Sequence, residues 1–111
     1  MSRRDGERLE DIRDSIAAIR SHIARGDVSD GLIFDAVRVR LIEIGEAIKA
    51  LPAALIATEP DIPWADIAGM RDHLAHHYFD TEHSIVAGTI ANDLGPLEAA
   101  VLRLASRVTD E

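Results

Sequence analysis

Two long stretches of this chain repeat apolar residues at alternating steps of three and four. The first stretch places Leu9, Ile12, Ile16, Ile19 and Ile23 in this register, and the second places Phe34, Val37, Leu41, Ile44, Ile48 and Leu51. Because an α-helix turns once every ~3.6 residues, each set falls on one face of a helix. No segment keeps the two-residue alternation of a half-buried strand. The spacing therefore predicts helices over residues 6–25 and from residue 29 or 30 to residue 51.

The ends of these two helices carry residues that commonly stop or start a helix. Gly26-Asp27 is predicted to end the first helix, and Asp30 suits the N-cap of the second. Pro52 follows the last apolar position and helps to stop the second helix, because proline disfavours helical backbone in the residue before it. Residues 53–62 are expected to form a short helix and a loop.

Three further helices are predicted in the second half of the chain. Pro63 is expected in the first turn of the third helix, where its missing N–H costs little. A turn at Phe79-Asp80-Thr81 is expected to lead into the fourth helix, with Asp80 or Thr81 as its cap. Gly95-Pro96 is expected to break or kink the chain before the fifth helix. The apolar residues expected to face the core are Ile67, Met70 and Leu74 of the third helix, Val86, Ile90 and Leu94 of the fourth, and Leu97, Val101, Leu104 and Val108 of the fifth.

These patterns predict an all-α protein, an up-and-down bundle of four to five helices that forms one domain over residues 1–111. The sequence is 47% hydrophobic and 29% charged, which favours folding over disorder. Aromatic residues make up only 4%, so aliphatic side chains must build the core. A chain this short buries a modest share of its surface, and we expect a homodimer that buries more.

Composition disfavours several kinds of site and location. The chain has no cysteine, which excludes disulfides, thiolate metal sites and cysteine nucleophiles. No apolar run approaches the roughly 20 residues that span a membrane. The arginines near the N-terminus are not followed by the apolar core of a signal peptide. We therefore expect a cytoplasmic protein with no membrane partner.

The decapeptide of residues 70–79 concentrates groups that suit phosphate chemistry. Arg71 is a permanent cation whose planar fork of donors fits phosphate oxygens. His76 can give or take a proton near neutral pH. Tyr78, the sole tyrosine, offers a phenolic hydroxyl. Taken without context, each residue type also has a purely structural role. An arginine commonly forms a surface ion pair, a histidine binds backbone groups, and a tyrosine packs in the core.

The R-x-x-x-x-H-x-Y spacing of Arg71, His76 and Tyr78 resembles the motif of HEPN-domain ribonucleases, in particular the HepT-like toxins of bacterial and archaeal toxin–antitoxin pairs. Three other segments resemble the same family: IEIGEAIK at residues 42–49, IPWADIAGMR at 62–71 and DLGPL at 93–97. Together they cover nearly the whole chain in the family's order. The motif is specific when the segment I-P-W-x-x-I-A-G-M precedes it, as it does here.

The resemblance implies an all-α HEPN bundle that forms a homodimer and acts as a metal-independent endoribonuclease, the toxin of a type VII toxin–antitoxin system. Arg71 would bind the scissile phosphate and His76 would transfer protons, with Asp72 and Tyr78 in supporting roles. The family's partner is a minimal, MntA-like nucleotidyltransferase antitoxin that uses ATP and Mg²⁺ to attach AMP to the motif tyrosine, here Tyr78. The expected substrate is tRNA or mRNA, and neither DNA nor a cofactor of this chain is expected.

RNA carries its own nucleophile, the 2′-hydroxyl, so a histidine that moves protons can cleave it without a bound metal. On an ideal helix, however, Arg71 and His76 point roughly 140° apart, and Arg71 and Tyr78 lie roughly 10 Å apart along one stripe. One straight helix therefore does not aim all three groups at one phosphate. Long side chains, an opened helix end near His77 or a second subunit would resolve this, and the family implies the two-fold dimer.

The charge of the chain is unevenly distributed. Its net value of −8 opposes non-specific binding to nucleic acid. Residues 59–98 hold eight acids and one base, Arg71, whereas residues 1–25 hold six arginines and five acids. The second predicted helix adds three bases, Arg38, Arg40 and Lys49. A path for RNA is therefore expected along the first two helices and Arg71, while the acidic remainder suits a basic partner.

Three alternatives stay open at this level. His73 and His77 lie four residues apart, which on a helix allows two metal ligands on one face, with Asp80 or His83 as a third. A second alternative is a non-catalytic nucleotide- or partner-binding subunit of a nucleotidyltransferase complex. Nucleotidyl transfer itself must come from another chain, because the Gly-Ser and paired-carboxylate pattern of that chemistry is absent here. The third is a structural helical dimer with a vestigial site.

Overall fold

All regular secondary structure in the described part of the chain is helical. The structure, a computed structural model, describes residues 3–75 and 79–109, without the side chains of Arg3, Arg71, Ala75, residues 79–82 and Thr109. The helices are α1 (Arg3–Ile23), α2 (Gly31–Lys49), α3 (Ala53–Ile56), α4 (Trp64–Ala75), α5 (Phe79–Asn92) and α6 (Leu94–Thr109). The predicted all-α class is confirmed, with the single turn of α3 as the short helix expected between residues 53 and 62.

Helix α2 lies at the centre of the bundle, because it packs against α1, α4 and α5. Helix α1 also contacts α6, and α5 contacts both α4 and α6. Ile12, Ile16 and Ile19 of α1 and Val37 and Ile44 of α2 have no solvent exposure. Fully burying one such side chain contributes about 1.5–3 kcal/mol. The spacing of apolar residues therefore located the buried faces of α1 and α2 correctly.

Helix α2 begins where its sequence indicated. The side chain of Asp30 accepts a hydrogen bond from the N–H of Leu32 at 2.9 Å, and its backbone oxygen accepts one from the N–H of Phe34. This N-cap satisfies N–H groups that a helix otherwise leaves unpaired at its start. The prediction for Asp30 is confirmed, whereas α1 runs from Arg3 to Ile23 and so lies slightly ahead of its predicted range.

The turn predicted at residues 79–81 is wrong, since these residues belong to the first turn of α5. Neither Asp80 nor Thr81 is therefore the cap that precedes this helix. Acidic and hydroxyl side chains are favourable both at the N-cap and within the first helical turn, where they meet the positive end of the helix dipole. Residue type alone therefore does not fix the starting position to within one or two residues.

A break between the last two helices is present, but it lies at Asp93 rather than at Gly95-Pro96. Proline has no N–H and its ring clashes with the carbonyl four residues earlier, so α5 has to end by Asn92. Pro96 itself fits the first turn of α6, and the N–H of Leu97 donates to the Asp93 oxygen at 2.9 Å.

The break has a geometric consequence for the last two helices. Among the described helices, no single one has both the length and the apolar composition to cross a membrane. Residues 83–92 and 94–108 meet those two criteria only as a pair, and this pair is bent by 57°.

Candidate functional site

The start of α4 is attached to α6 through Glu59. The indole N–H of Trp64 donates to the Glu59 backbone oxygen at 2.9 Å. The Glu59 carboxylate accepts from Arg103 Nε at 2.9 Å and Nη2 at 2.7 Å. These hydrogen bonds from Arg103 hold the pKa of Glu59 below its usual range and raise the pKa of Arg103. The segment that leads into the motif helix is thus fixed on the bundle before α4 begins.

The buried face of α4 sets the direction of its polar residues. Ile67, Met70 and Leu74 are at most 5% exposed, as their spacing predicted. Asp72, two residues after Met70, lies off this face and is exposed, and Arg71 lies between these two residues near the C-terminal end of the helix.

Three of the four predicted site residues have side chains outside the described part of the structure. His76 and Tyr78 lie wholly outside the described residues, and for Arg71 only the backbone is described. The convergence of these groups on one phosphate therefore stays a prediction. What the structure describes is the pair of helices on either side, with α4 ending at Ala75 and α5 beginning at Phe79.

Asp72 is exposed and faces a cation of α2. Its Oδ2 lies 3.9 Å from the Lys49 Nζ, and the two side chains are 67% and 41% exposed. An exposed pair at this distance contributes little to folding, because water screens both charges. The ion pair does place a positive charge beside the carboxylate, which offsets its repulsion of a nucleic-acid phosphate.

Arg38 of α2 also contacts the C-terminal part of α4. Its Nη2 donates a hydrogen bond to the backbone oxygen of Leu74, and its Nε is screened from solvent. The sequence predicts Arg38 among the cations of an RNA path, whereas in the structure its guanidinium binds the backbone of α4. A signal for its true position was present in the sequence: Arg38 lies four residues after Phe34 and three before Leu41, the same steps that define the buried stripe.

The start of α5 is held by a second contact with α2. The His83 ring stacks on Phe34, with ring centroids 5.8 Å apart and an interplanar angle of 10°. Its Nε2 lies 3.1 Å from the Val28 carbonyl oxygen, so this nitrogen carries the proton and donates it. Nearby, hydrogen bonds from Ser29 lower the pKa of Asp27, and His83 adds a smaller effect in the same direction.

These contacts bear on the metal alternative. The nitrogen of His83 that donates to Val28 is not available as a ligand, and His73 lines a different surface, a groove of about 370 Å³ between α4 and α5. Among the residues that the structure describes, no three histidine or acidic side chains are grouped to hold a metal ion. The side chains of His77 and Asp80 lie outside the described residues.

Several of the cations expected along an RNA path are paired with acids. Arg8 Nη1 lies 3.2 Å from Asp11 Oδ2, Arg40 Nη1 lies 3.0 Å from Glu43 Oε2, and Arg20 pairs with Glu98 of α6. A groove of about 520 Å³ between α1 and α2 is lined by two arginines and four carboxylates (Asp11, Asp14, Glu43 and Glu46). This groove is therefore acidic and disfavours phosphate, so the path for RNA stays a prediction with less support from α1 than its arginine content suggested.

Comparison with known proteins relates the chain to a family that is described as ribonuclease-like. A sequence model of the family described as "Ribonuclease HepT-like" matches residues 9–104. The protein named "Probable ribonuclease HepT" of Thermococcus cleftensis is 32% identical over 108 residues, which cover 94% of this chain and 98% of that protein.

Two further relatives match over a shorter segment. "Putative RNase TTE0752" of Caldanaerobacter subterraneus is 44% identical over 64 residues, or 57% of each chain. "Putative RNase MJ0127" of Methanocaldococcus jannaschii is 38% identical over 68 residues, or 57% of this chain and 56% of that protein. The match thus spans little more than half the length of these two relatives. No solved structure matches. The family match and the relative of nearly equal length together show that this chain belongs to the HepT-like ribonuclease family.

Proposed function

We propose that this protein is a metal-independent endoribonuclease and the toxin of a type VII toxin–antitoxin pair. The observation that carries the proposal is the complete spacing of Arg71, His76 and Tyr78 within the segment that matches the family. The ribonuclease names of the relatives support RNA as the substrate class. Arg71 lies near the end of α4, and the short segment that contains the other two motif residues follows this helix. This order is consistent with a shared site.

In this mechanism, Arg71 binds the scissile phosphate and stabilises the negative charge that grows on its oxygens. His76 accepts the proton of the 2′-hydroxyl or donates one to the leaving 5′-oxygen. A bond forms between the 2′-oxygen and phosphorus while the bond to the 5′-oxygen breaks. The products are a 2′,3′-cyclic phosphate and a 5′-hydroxyl. Asp72, whose charge Lys49 partly offsets, supports the site without contacting the scissile bond.

The test is cleavage of purified tRNA and mRNA with and without EDTA, followed by end-group analysis of the products. His76→Ala should lower the rate by roughly 10² to 10⁴, the usual contribution of one general acid–base group. His73→Ala is the matched control, since it removes a histidine from the same decapeptide but outside the motif. Loss of wild-type activity in EDTA together with loss in His73→Ala would favour the metal alternative. An inactive wild-type protein that binds nucleotide would favour the non-catalytic subunit.

The proposal includes a homodimer, because one helix does not by itself direct the three motif groups at one phosphate. Leu32 and Val39 of α2, at 81% and 48% exposure, offer apolar surface for such a contact. Sedimentation at micromolar concentration should report about twice the monomer mass of 12.1 kDa. A monomer that still cleaves RNA would contradict the dimer-cleft arrangement.

The proposal also includes regulation at Tyr78 by a nucleotidyltransferase antitoxin. AMP on this hydroxyl adds a negative charge close in sequence to Arg71, where it would compete with substrate phosphate for the guanidinium. Incubation with the partner, ATP and Mg²⁺ should raise the intact mass by one or more AMP units and abolish cleavage without unfolding. Tyr78→Phe should block the mass increase, and the partner should leave the nuclease activity of this variant unchanged. AMP found on another residue, or full activity of the modified protein, would refute this step.

A further inference from the structure

We propose that Arg38 is a positioning residue that fixes the C-terminal end of α4 and thereby the placement of Arg71 relative to the rest of the motif. The inference rests on the proposed ribonuclease function and assigns a role to a residue outside the R-x-x-x-x-H-x-Y motif. The central observation is the hydrogen bond from the Arg38 guanidinium to the Leu74 backbone oxygen. Arg38 is thus a support for the site and is not itself a ligand of RNA.

The location of the hydrogen bond is the first argument. Leu74 is the penultimate residue of α4 as the structure describes it, three residues after Arg71. A carbonyl oxygen has two lone pairs, so it can accept from a guanidinium in addition to a backbone donor. The Leu74 side chain is fully buried, which fixes this residue against the bundle. Arg38 therefore binds the backbone of α4 itself, between Arg71 and the motif residues that follow in the sequence.

The second argument is that one turn of α2 contacts both helices that border residues 76–78. Phe34 stacks on His83 near the start of α5, and Arg38, four residues later on the same face of α2, donates to the end of α4. The two contacts lie on the described helices on either side of residues 76–78. Only Ala75 separates Leu74 from His76 in the sequence, so we expect displacement of the Leu74 carbonyl to alter the placement of the motif residues that follow.

The third argument is energetic. Partial removal of a guanidinium from water costs free energy unless its N–H groups form hydrogen bonds. An apolar side chain at such a position often stabilises the fold as well or better. Arg38 is half-buried, and its Nε is screened from solvent. A residue that only stabilised the bundle here would be better replaced by leucine or methionine. Arginine can donate a directed hydrogen bond to one carbonyl group, and an apolar residue cannot.

The experiment compares Arg38→Met and Arg38→Lys with the control Arg107→Met. The control removes the same charge at an exposed position of α6, away from the expected RNA path. We expect Arg38→Met to lower kcat by about 10- to 100-fold, the scale of a small misplacement of reacting groups, with KM within about twofold. Arg38→Lys should recover part of kcat because it keeps a donor, and Arg107→Met should resemble wild type.

Two kinetic outcomes would overturn the proposal. A rise in KM with a weaker salt dependence and unchanged kcat would make Arg38 a phosphate contact, since loss of one such contact lowers the salt slope by about one. Unchanged kcat per folded molecule, with only a lower Tm, would make its role purely structural.

A measurement independent of activity separates this inference from the proposed function. Hydrogen exchange at the amides of residues 72–75 should become faster in Arg38→Met and stay unchanged in Arg107→Met, while α1 and α6 keep their protection in both variants. Unchanged exchange at these amides would show that Arg38 does not hold the end of α4, whether or not the protein cleaves RNA. If wild-type protein does not cleave RNA while the exchange result holds, the proposed function fails and the anchoring role of Arg38 stands without its catalytic consequence.

Discussion

The two ends of α4 are held by different physical means. At its start, the Trp64 side chain is 7% exposed and packed into the core, and its indole N–H is paired with Glu59. Arg103 of α6 then binds the Glu59 carboxylate, which is only 12% exposed, through two nitrogens. Apolar burial and short hydrogen bonds act together there, so this end of the helix belongs to the folding core.

At its end, α4 is reached by charged side chains of α2. Arg38 donates to the Leu74 oxygen, and Lys49 lies 3.9 Å from Asp72 in an exposed pair. The exposed pair adds little to folding, yet both contacts are close in sequence to Arg71 and to the motif residues that follow it. The difference suggests that the start of α4 serves stability and its end serves the site. Substitutions at the two ends should therefore separate the two properties.

The largest effect is expected at the start of the helix. Trp64→Ala should lower the free energy of unfolding by about 3–5 kcal/mol, because it leaves a large cavity in the core and an unpaired Glu59 carbonyl. Urea denaturation measures this as a lower midpoint. Leu102→Ala, at a residue that is 47% exposed, is the control and should change stability by no more than about 0.5 kcal/mol. A similar loss in both variants would contradict the core role of Trp64.

A smaller effect, which changes activity but not stability, is expected for a substitution near the end of the helix. Arg71→Ala should reduce kcat for RNA by roughly 10² to 10³, the cost of removing one donor that stabilises developing negative charge. The buried face of α4 is carried by Met70 and Leu74, so the midpoint of unfolding should change little. Arg107→Ala, an exposed arginine on α6, controls for the loss of net charge. If Arg71→Ala unfolded the protein as Trp64→Ala does, the contrast between the two ends of α4 would be lost.

The smallest effect concerns Glu59 and depends on pH. Because the folded pKa of Glu59 is lowered by Arg103, its ion pair stabilises the native state fully above the ordinary glutamate value of 4.5. This stabilisation is lost as pH falls through the lower, folded pKa. Glu59→Gln should therefore have a lower Tm than wild type at neutral pH, and the difference should shrink in acid. Glu10→Gln, at an exposed pair 3.4 Å from Arg13, should show a smaller difference at neutral pH. If the Tm difference between Glu59→Gln and wild type became larger in acid, the lowered pKa of Glu59 would be contradicted.

Helix existence and buried faces were predictable because both depend on local periodicity. The stripe from Phe34 to Leu51 is buried as its spacing predicted, and the N-cap of Asp30 is formed. Boundaries were less predictable, as the residues at 79–81 show, because capping and first-turn preferences overlap. Pro96 specified that a break was needed, but the break lies at Asp93 because the clash of proline is with the carbonyl four residues earlier.

The motif spacing and the family were readable from the linear order of residues, because a sequence motif is defined by residue type and by distance along the chain. The partners of the end of α4 were not readable in this way. Arg38 and Leu74 are 36 residues apart, and Glu59 and Arg103 are 44 apart. Their meeting depends on how α2, α4 and α6 pack, which is decided by the fit of many apolar side chains at once. Periodicity thus determined which faces are buried, and only the packed bundle determined which polar groups meet across them.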